Sequence, residues 1–105
     1  IAAVGLLDEG YFLHGEDLDW CLRFGQLGWP IWFVPMVSIL HVKGVCSRGR
    51  PLRVSWHLHR GMSRFYHKFF WPSDPWPLVA VVVVGIWVRF GLVSGLNILR
   101  LGYRR

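Results

Sequence analysis

A chain of 105 residues bounds the molecule at one small domain, with little room for a second core. Its formal charge of +6, from 12 Lys and Arg against 6 Asp and Glu, points to an anionic partner without choosing among nucleic acid, anionic lipid and phosphorylated substrates. Two cysteines without Cys-x-x-Cys spacing argue against a disulfide framework or a zinc site and fit a reducing compartment. The hydrophobic fraction of 53%, with 7 Trp, lies above the ordinary soluble average, and the longest apolar run follows Trp71.

The chain opens with a short apolar segment through Leu7, an Asp8-Glu9-Gly10 turn and a short extended piece, Tyr11-Phe-Leu13. Gly15 ends that segment, and a helix is predicted from Glu16 to about Leu27 with Glu16, Asp17 and Asp19 in its first turn. Acids at that end gain roughly 0.3–1 kcal/mol each from unpaired N–H groups and the helix dipole, which accounts for them without any chemistry. The helix itself, Leu18-Asp-Trp-Cys-Leu-Arg-Phe-Gly-Gln-Leu27, is apolar on nearly every side, a pattern that predicts burial. Carboxylates at the mouth of a buried helix face a protein partner or a ligand cleft, and in a cleft a base or a metal ligand becomes an alternative to the helix-start role. Gly28 stands where a left-handed C-cap is wanted, and Pro30 reinforces the stop.

Ile31-Trp-Phe-Val34 is β-branched and aromatic between prolines and predicts a strand, and Val37-Ser-Ile-Leu-His-Val42 predicts a second. Alternation places Val37, Ile39 and His41 on one face. On the residues alone His41 is a core histidine bonded to backbone. The segment Lys43-Gly-Val-Cys-Ser-Arg-Gly-Arg-Pro-Leu-Arg53 is a glycine-punctuated loop of cations. It reads either as a solvated surface or as a mobile clamp in which Arg48 and Arg50 grip phosphate oxygens.

Pro51 suits the first turn of a helix running to about Phe70. Val54, Leu58, Met62, Phe65, Tyr66 and Phe69 recur at helical spacing as its packed face, while His57, Arg60, Arg64, His67 and Lys68 take the other. The histidines lack a Cys or acid at ligand spacing. Trp71-Pro-Ser-Asp-Pro-Trp-Pro77 carries three prolines and predicts a rigid linker. Residues 78–101 are apolar apart from Arg89, Ser94, Asn97 and Arg100, and the tail is basic. The run before Arg89 is too short to cross a bilayer, for which about 20 residues are needed. Counting through Arg89 supplies the length at a cost of about 2.5–3.5 kcal/mol, which the aliphatic residues roughly offset. A spanning helix, a surface-bound helix and a buried soluble helix all stay open.

The run Val4-Gly-Leu-Leu-Asp-Glu-Gly-Tyr-Phe-Leu-His-Gly-Glu-Asp-Leu-Asp-Trp-Cys-Leu-Arg23, followed by Gly28-Trp-Pro-Ile-Trp-Phe-Val-Pro35 and His41, resembles the acceptor half of a family 2 glycosyltransferase, and its rhamnosyltransferase-like members in particular. The resemblance covers most of residues 4–70. It implies an α/β fold in which residues 1–70 form the C-terminal part of a GT-A (Rossmann-like) domain, residues 71–77 a proline-rich linker, and residues 78–105 a hydrophobic, membrane-associated helix with a basic tail. It implies an inverting enzyme that moves a sugar from a nucleotide-sugar donor to a glycan or polyprenyl-linked acceptor, in cell-wall or polysaccharide synthesis on the cytoplasmic side of the plasma membrane. Asp17 becomes the base, with Glu16 beside it. His41 becomes a ligand of a divalent metal, Mg or Mn, and Lys43, Arg48, Arg50 and Asp19 become substrate contacts. Asp17-Leu-Asp19 has the spelling of the family's donor-side Asp-x-Asp but occupies the acceptor motif, and the nucleotide-binding half is missing, so the chain reads as a C-terminal fragment. A non-enzymatic basic membrane module is the rival reading. Nucleic-acid binding is not expected, since no recognition motif accompanies the charge.

Overall fold

The computed structural model describes residues 1–40 and 50–103, with side chains to Leu99 in the last helix. Three helices carry it: α1 (Glu16–Gln26), α2 (Pro51–Phe69) and α3 (Trp76–Tyr103). No strand occurs among the described residues, so the expected α/β, GT-A (Rossmann-like) fold is corrected to an all-helical one. The physical reason lies in pairing. Residues 31–40 have the strand-forming composition but run exposed, with Phe33 88% accessible, and have no neighbouring strand to receive their backbone groups.

Helix α1 starts from two consecutive left-handed residues, His14 (φ 68°) and Gly15 (φ 99°), and ends where expected. Trp29 N–H donates to Phe24 O at 3.0 Å and Gly28 N–H to Gly25 O at 3.0 Å, with Gly28 left-handed at φ 76°. This is the reciprocal C-terminal closure that glycine permits. The predicted burial of α1 is also corrected. Leu18 is 61% exposed and Cys21 is exposed, and only Asp19 is fully buried. Among the described residues the apolar sides of this helix are covered only in part, with Trp20, Leu22 and Phe24 half-buried.

Helix α2 lies between the N-terminal segment and α3. Pro51 occupies its first turn, as its lack of an N–H allows. Trp56 packs on Trp87 and Phe90 with ring centroids 5.2 and 5.6 Å apart, and Val79 and Ile86 are buried. The connection is shorter than the predicted linker. A turn follows Phe70, the Tyr66 hydroxyl donates to Asp74 Oδ2 at 2.6 Å across it, and α3 begins at Trp76. Pro77 is tolerated because a first-turn residue needs no intrahelical N–H partner.

The apolar stripe read from α2 is only half covered. Its buried positions are Ser55, His59 and Gly61. His59 has no exposed surface, and its Nδ1 lies 2.7 Å from Ser55 O and its Nε2 2.8 Å from an Arg89 amino group on α3. Arg89 carries only donors, so Nε2 accepts and Nδ1–H donates to the Ser55 carbonyl. The polar residue that interrupts the apolar helix is thereby tied to the neighbouring helix.

Candidate functional site

The left-handed turn at His14 and Gly15 seats the start of α1 directly on α2. A Cβ at Gly61 would lie 2.7 Å from His14 O, so only glycine at that position allows the approach. The result is a cleft of about 570 Å³ between α1, α2 and α3, walled by Leu58, Met62, Phe65 and Ile86, with Glu16 and Asp17 on its rim. Asp17 is exposed, and its Oδ1 accepts the N–H of Leu18 at 2.9 Å. Glu16 turns Oε2 inward, buried and without a hydrogen-bond partner. Two carboxylates therefore border an apolar cleft, one with a free oxygen toward solvent and one with an unsatisfied oxygen.

Asp19 has a different environment from its two neighbours. It has no exposed surface and accepts hydrogen bonds from Tyr11 Oη at 3.1 Å, Arg23 Nε at 2.7 Å and Lys68 Nζ at 2.6 Å. Burial alone would raise its carboxyl pKa, but Lys68, Arg23 and Tyr11 outweigh that and hold it below the usual range. Lys68 also bonds Asp8 at 2.9 Å, and Arg64 makes a two-oxygen contact with Asp8 at 2.9 and 3.0 Å. The Lys68 ammonium, with Arg64 and the Gly10 N–H, keeps Asp8 well below the usual carboxylate range against a smaller opposing push from burial. Burial works against the Lys68 charge, yet Asp19 and Asp8 together raise its pKa. Tyr11 is pushed upward by burial first and by Asp19 second.

This network ties the N-terminal segment to α2. Arg23 extends it by donating to Val4 O at 2.5 Å and Leu6 O at 2.7 Å, and Trp20 Nε1 donates to Gly5 O at 3.0 Å. Sequence reasoning placed Asp8 in a turn and Arg64 and Lys68 on a solvated face, and so did not find the network. The available signal was scarcity: a chain with six acids leaves few of them for solvent.

The proposed site residues are not all brought together. Glu16 and Asp17 share the cleft rim, while Asp19 faces the ion-pair network behind it. Arg50 stands exposed just before α2, with no hydrogen bond to either rim acid. His41, Lys43 and Arg48 lie outside the described residues. Among the described residues no three His, Cys, Asp or Glu side chains converge to hold a metal ion, so a metal at this site would need ligands from elsewhere.

The chain shares a partial similarity with glycosyltransferases. Among the proteins it matches are N-acetylglucosaminyl-diphospho-decaprenol L-rhamnosyltransferases of Mycobacterium tuberculosis, strains CDC 1551 / Oshkosh and ATCC 25618 / H37Rv, each 45% identical over 40 residues. The match takes in 38% of this chain and 13% of the relatives' length. No family model matches the chain, and no solved structure does.

Proposed function

We propose that this chain is the acceptor-side part of an inverting family 2 glycosyltransferase that transfers a sugar from a nucleotide-sugar donor to a lipid-linked glycan acceptor at the cytoplasmic side of the plasma membrane. The observation that carries the reading is the pair Glu16 and Asp17 on the rim of an apolar cleft. The partial similarity to enzymes whose acceptor is a diphospho-decaprenol sugar supports it.

Inversion in one displacement requires a carboxylate to take the proton of the attacking hydroxyl as the bond from the anomeric carbon to the nucleoside diphosphate breaks. Asp17 has the exposed oxygen for that task, and its Oδ1 bond to Leu18 N–H fixes the group's orientation. Glu16, beside it on the rim, is the second carboxylate of the proposed acceptor site. Asp19 serves by position, anchoring α1 on Lys68 so that the rim acids keep their place. His41 is the residue of this chain proposed to bind a divalent cation, Mg or Mn, whose charge would offset that of the diphosphate, with Lys43, Arg48 and Arg50 as its neighbours in sequence.

The test is Asp17→Asn in the full-length enzyme, assayed with radiolabelled sugar nucleotide. Turnover should fall by about two to four orders of magnitude, the usual contribution of a placed general base, with donor binding unchanged. Near-normal turnover would return Asp17 to the role of a helix-start acid.

A further inference from the structure

We infer that α3 lies in the plane of the membrane surface instead of crossing it, held there by α2. The segment Trp76–Leu99 has the length and apolarity of a span, with mean hydropathy 2.2, so composition alone permits either arrangement. The hairpin contacts decide between them. Helix α2 accompanies α3 from Val83, which lines a cleft with Arg64 and Lys68, to Phe90, which packs on Trp56, and His59 holds Arg89 between these points. Crossing upright would draw the α2 cations Arg60, Arg64 and Lys68 into hydrocarbon, or would part Arg89 from His59, its hydrogen-bond partner among the described residues. The remainder, residues 91–103, is about 20 Å of helix at 1.5 Å per residue, short of a hydrocarbon layer of about 30 Å.

Lying flat meets neither obstacle. Val81, Val84, Val88, Leu92, Leu96 and Leu99 recur at three- and four-residue steps and are between 55% and 70% exposed. They form one stripe along α3, on the side away from Val79 and Ile86, the residues buried toward α2. With that stripe in the acyl chains, α2 rides on the aqueous side and its cations stand level with lipid phosphates. Trp71 and Trp76, 45% and 81% exposed at the hairpin turn, suit the interfacial zone. The occupant of the stripe is an anionic bilayer surface, matched by the formal charge of +6. This inference rests on the membrane placement proposed above.

The experiment uses the full chain with Cys21→Ser and Cys46→Ser, a nitroxide placed singly through Val81→Cys, Val88→Cys, Leu92→Cys or Leu99→Cys, and vesicles of phosphatidylcholine with phosphatidylglycerol. Power-saturation depth should be shallow and equal at all four sites, and alkaline carbonate should release the chain. A depth profile that deepens toward Val88 and Leu92 and becomes shallow again at both ends overturns the in-plane arrangement while leaving membrane association intact. Labels that stay aqueous throughout overturn both, and assign the stripe to a protein partner.

Discussion

Lys68 is the joint of the N-terminal unit, and Lys68→Met shows what the joint contributes. Methionine keeps an apolar stem of similar length while removing the ammonium that touches Asp19 at 2.6 Å and Asp8 at 2.9 Å. Removing one partner of a buried ion pair costs about 3–5 kcal/mol, because a charge is left without compensation. Two facts reduce that figure here. The Lys68 side chain is 34% exposed, so water screens part of the interaction, and Asp19 keeps Arg23 and Tyr11 as partners. The Asp8 contact, nearer the surface and backed by Arg64, adds no more than about 1 kcal/mol. The expected loss is about 2–3 kcal/mol, confined to the docking of residues 1–26 on α2. Amide hydrogen exchange in mild detergent reads this directly. Protection of the Tyr11 and Asp19 amides, which bond Asp8 O and Gly15 O, should fall roughly 30- to 150-fold while amides of α2 and α3 hold their rates. Asp8→Asn should produce a smaller change at the same amides. A change below about threefold in Lys68→Met would mean that the network is held by packing instead of charge.

The same network sets a pH window. Asp8 and Asp19 have depressed folded pKa values, so their contribution is complete above the usual carboxylate value of about 4 and fades as pH falls below it; the raised values of Lys68 and Tyr11 keep theirs complete below about 10 and lose it on further alkalinisation. Protection corrected for intrinsic exchange should therefore be flat from about pH 5 to about pH 9 and fall on both sides. Gly61→Ala gains about 1 kcal/mol of helix propensity but drives a methyl into the His14 carbonyl, a strain of about 1–3 kcal/mol, so the start of α1 should loosen on balance, as faster exchange at Leu18 and Asp19 would show. Tyr66 should ionise at about 12 because its hydroxyl donates to Asp74, and tyrosinate absorbance in Asp74→Asn should move that step back toward 10.

Helices were legible wherever local signals agreed. Gly15, Gly28 and Pro51 mark ends that the structure keeps, because left-handed backbone and a missing N–H act within one turn and need no distant partner. The strands were not, because alternation in residues 31–34 and 37–42 states only which face a strand would bury. Whether a strand forms depends on a neighbour, and none exists among the described residues. Burial of α1 failed for a related reason: an apolar helix shows its need for cover without showing that cover is present. In the candidate site, Glu16 and Asp17 were legible from position at a helix start. The separate environment of Asp19 was not, since its partner Lys68 lies 49 residues away and no spacing rule reaches that far.

The Tyr66–Asp74 bond spans eight residues, whereas the ties from Asp8 to Arg64 and Lys68 span 56 and 60. This disparity orders the assembly in time. The α2–α3 hairpin closes a short loop and can form early, while the N-terminal unit must wait for a search over most of the chain. Residues 1–26 are synthesised before the hairpin and would stay undocked until Lys68 appears, so the element made later folds first. Docking of α1, and with it the placement of Glu16 and Asp17 over the cleft, is then the closing step of folding instead of its nucleus.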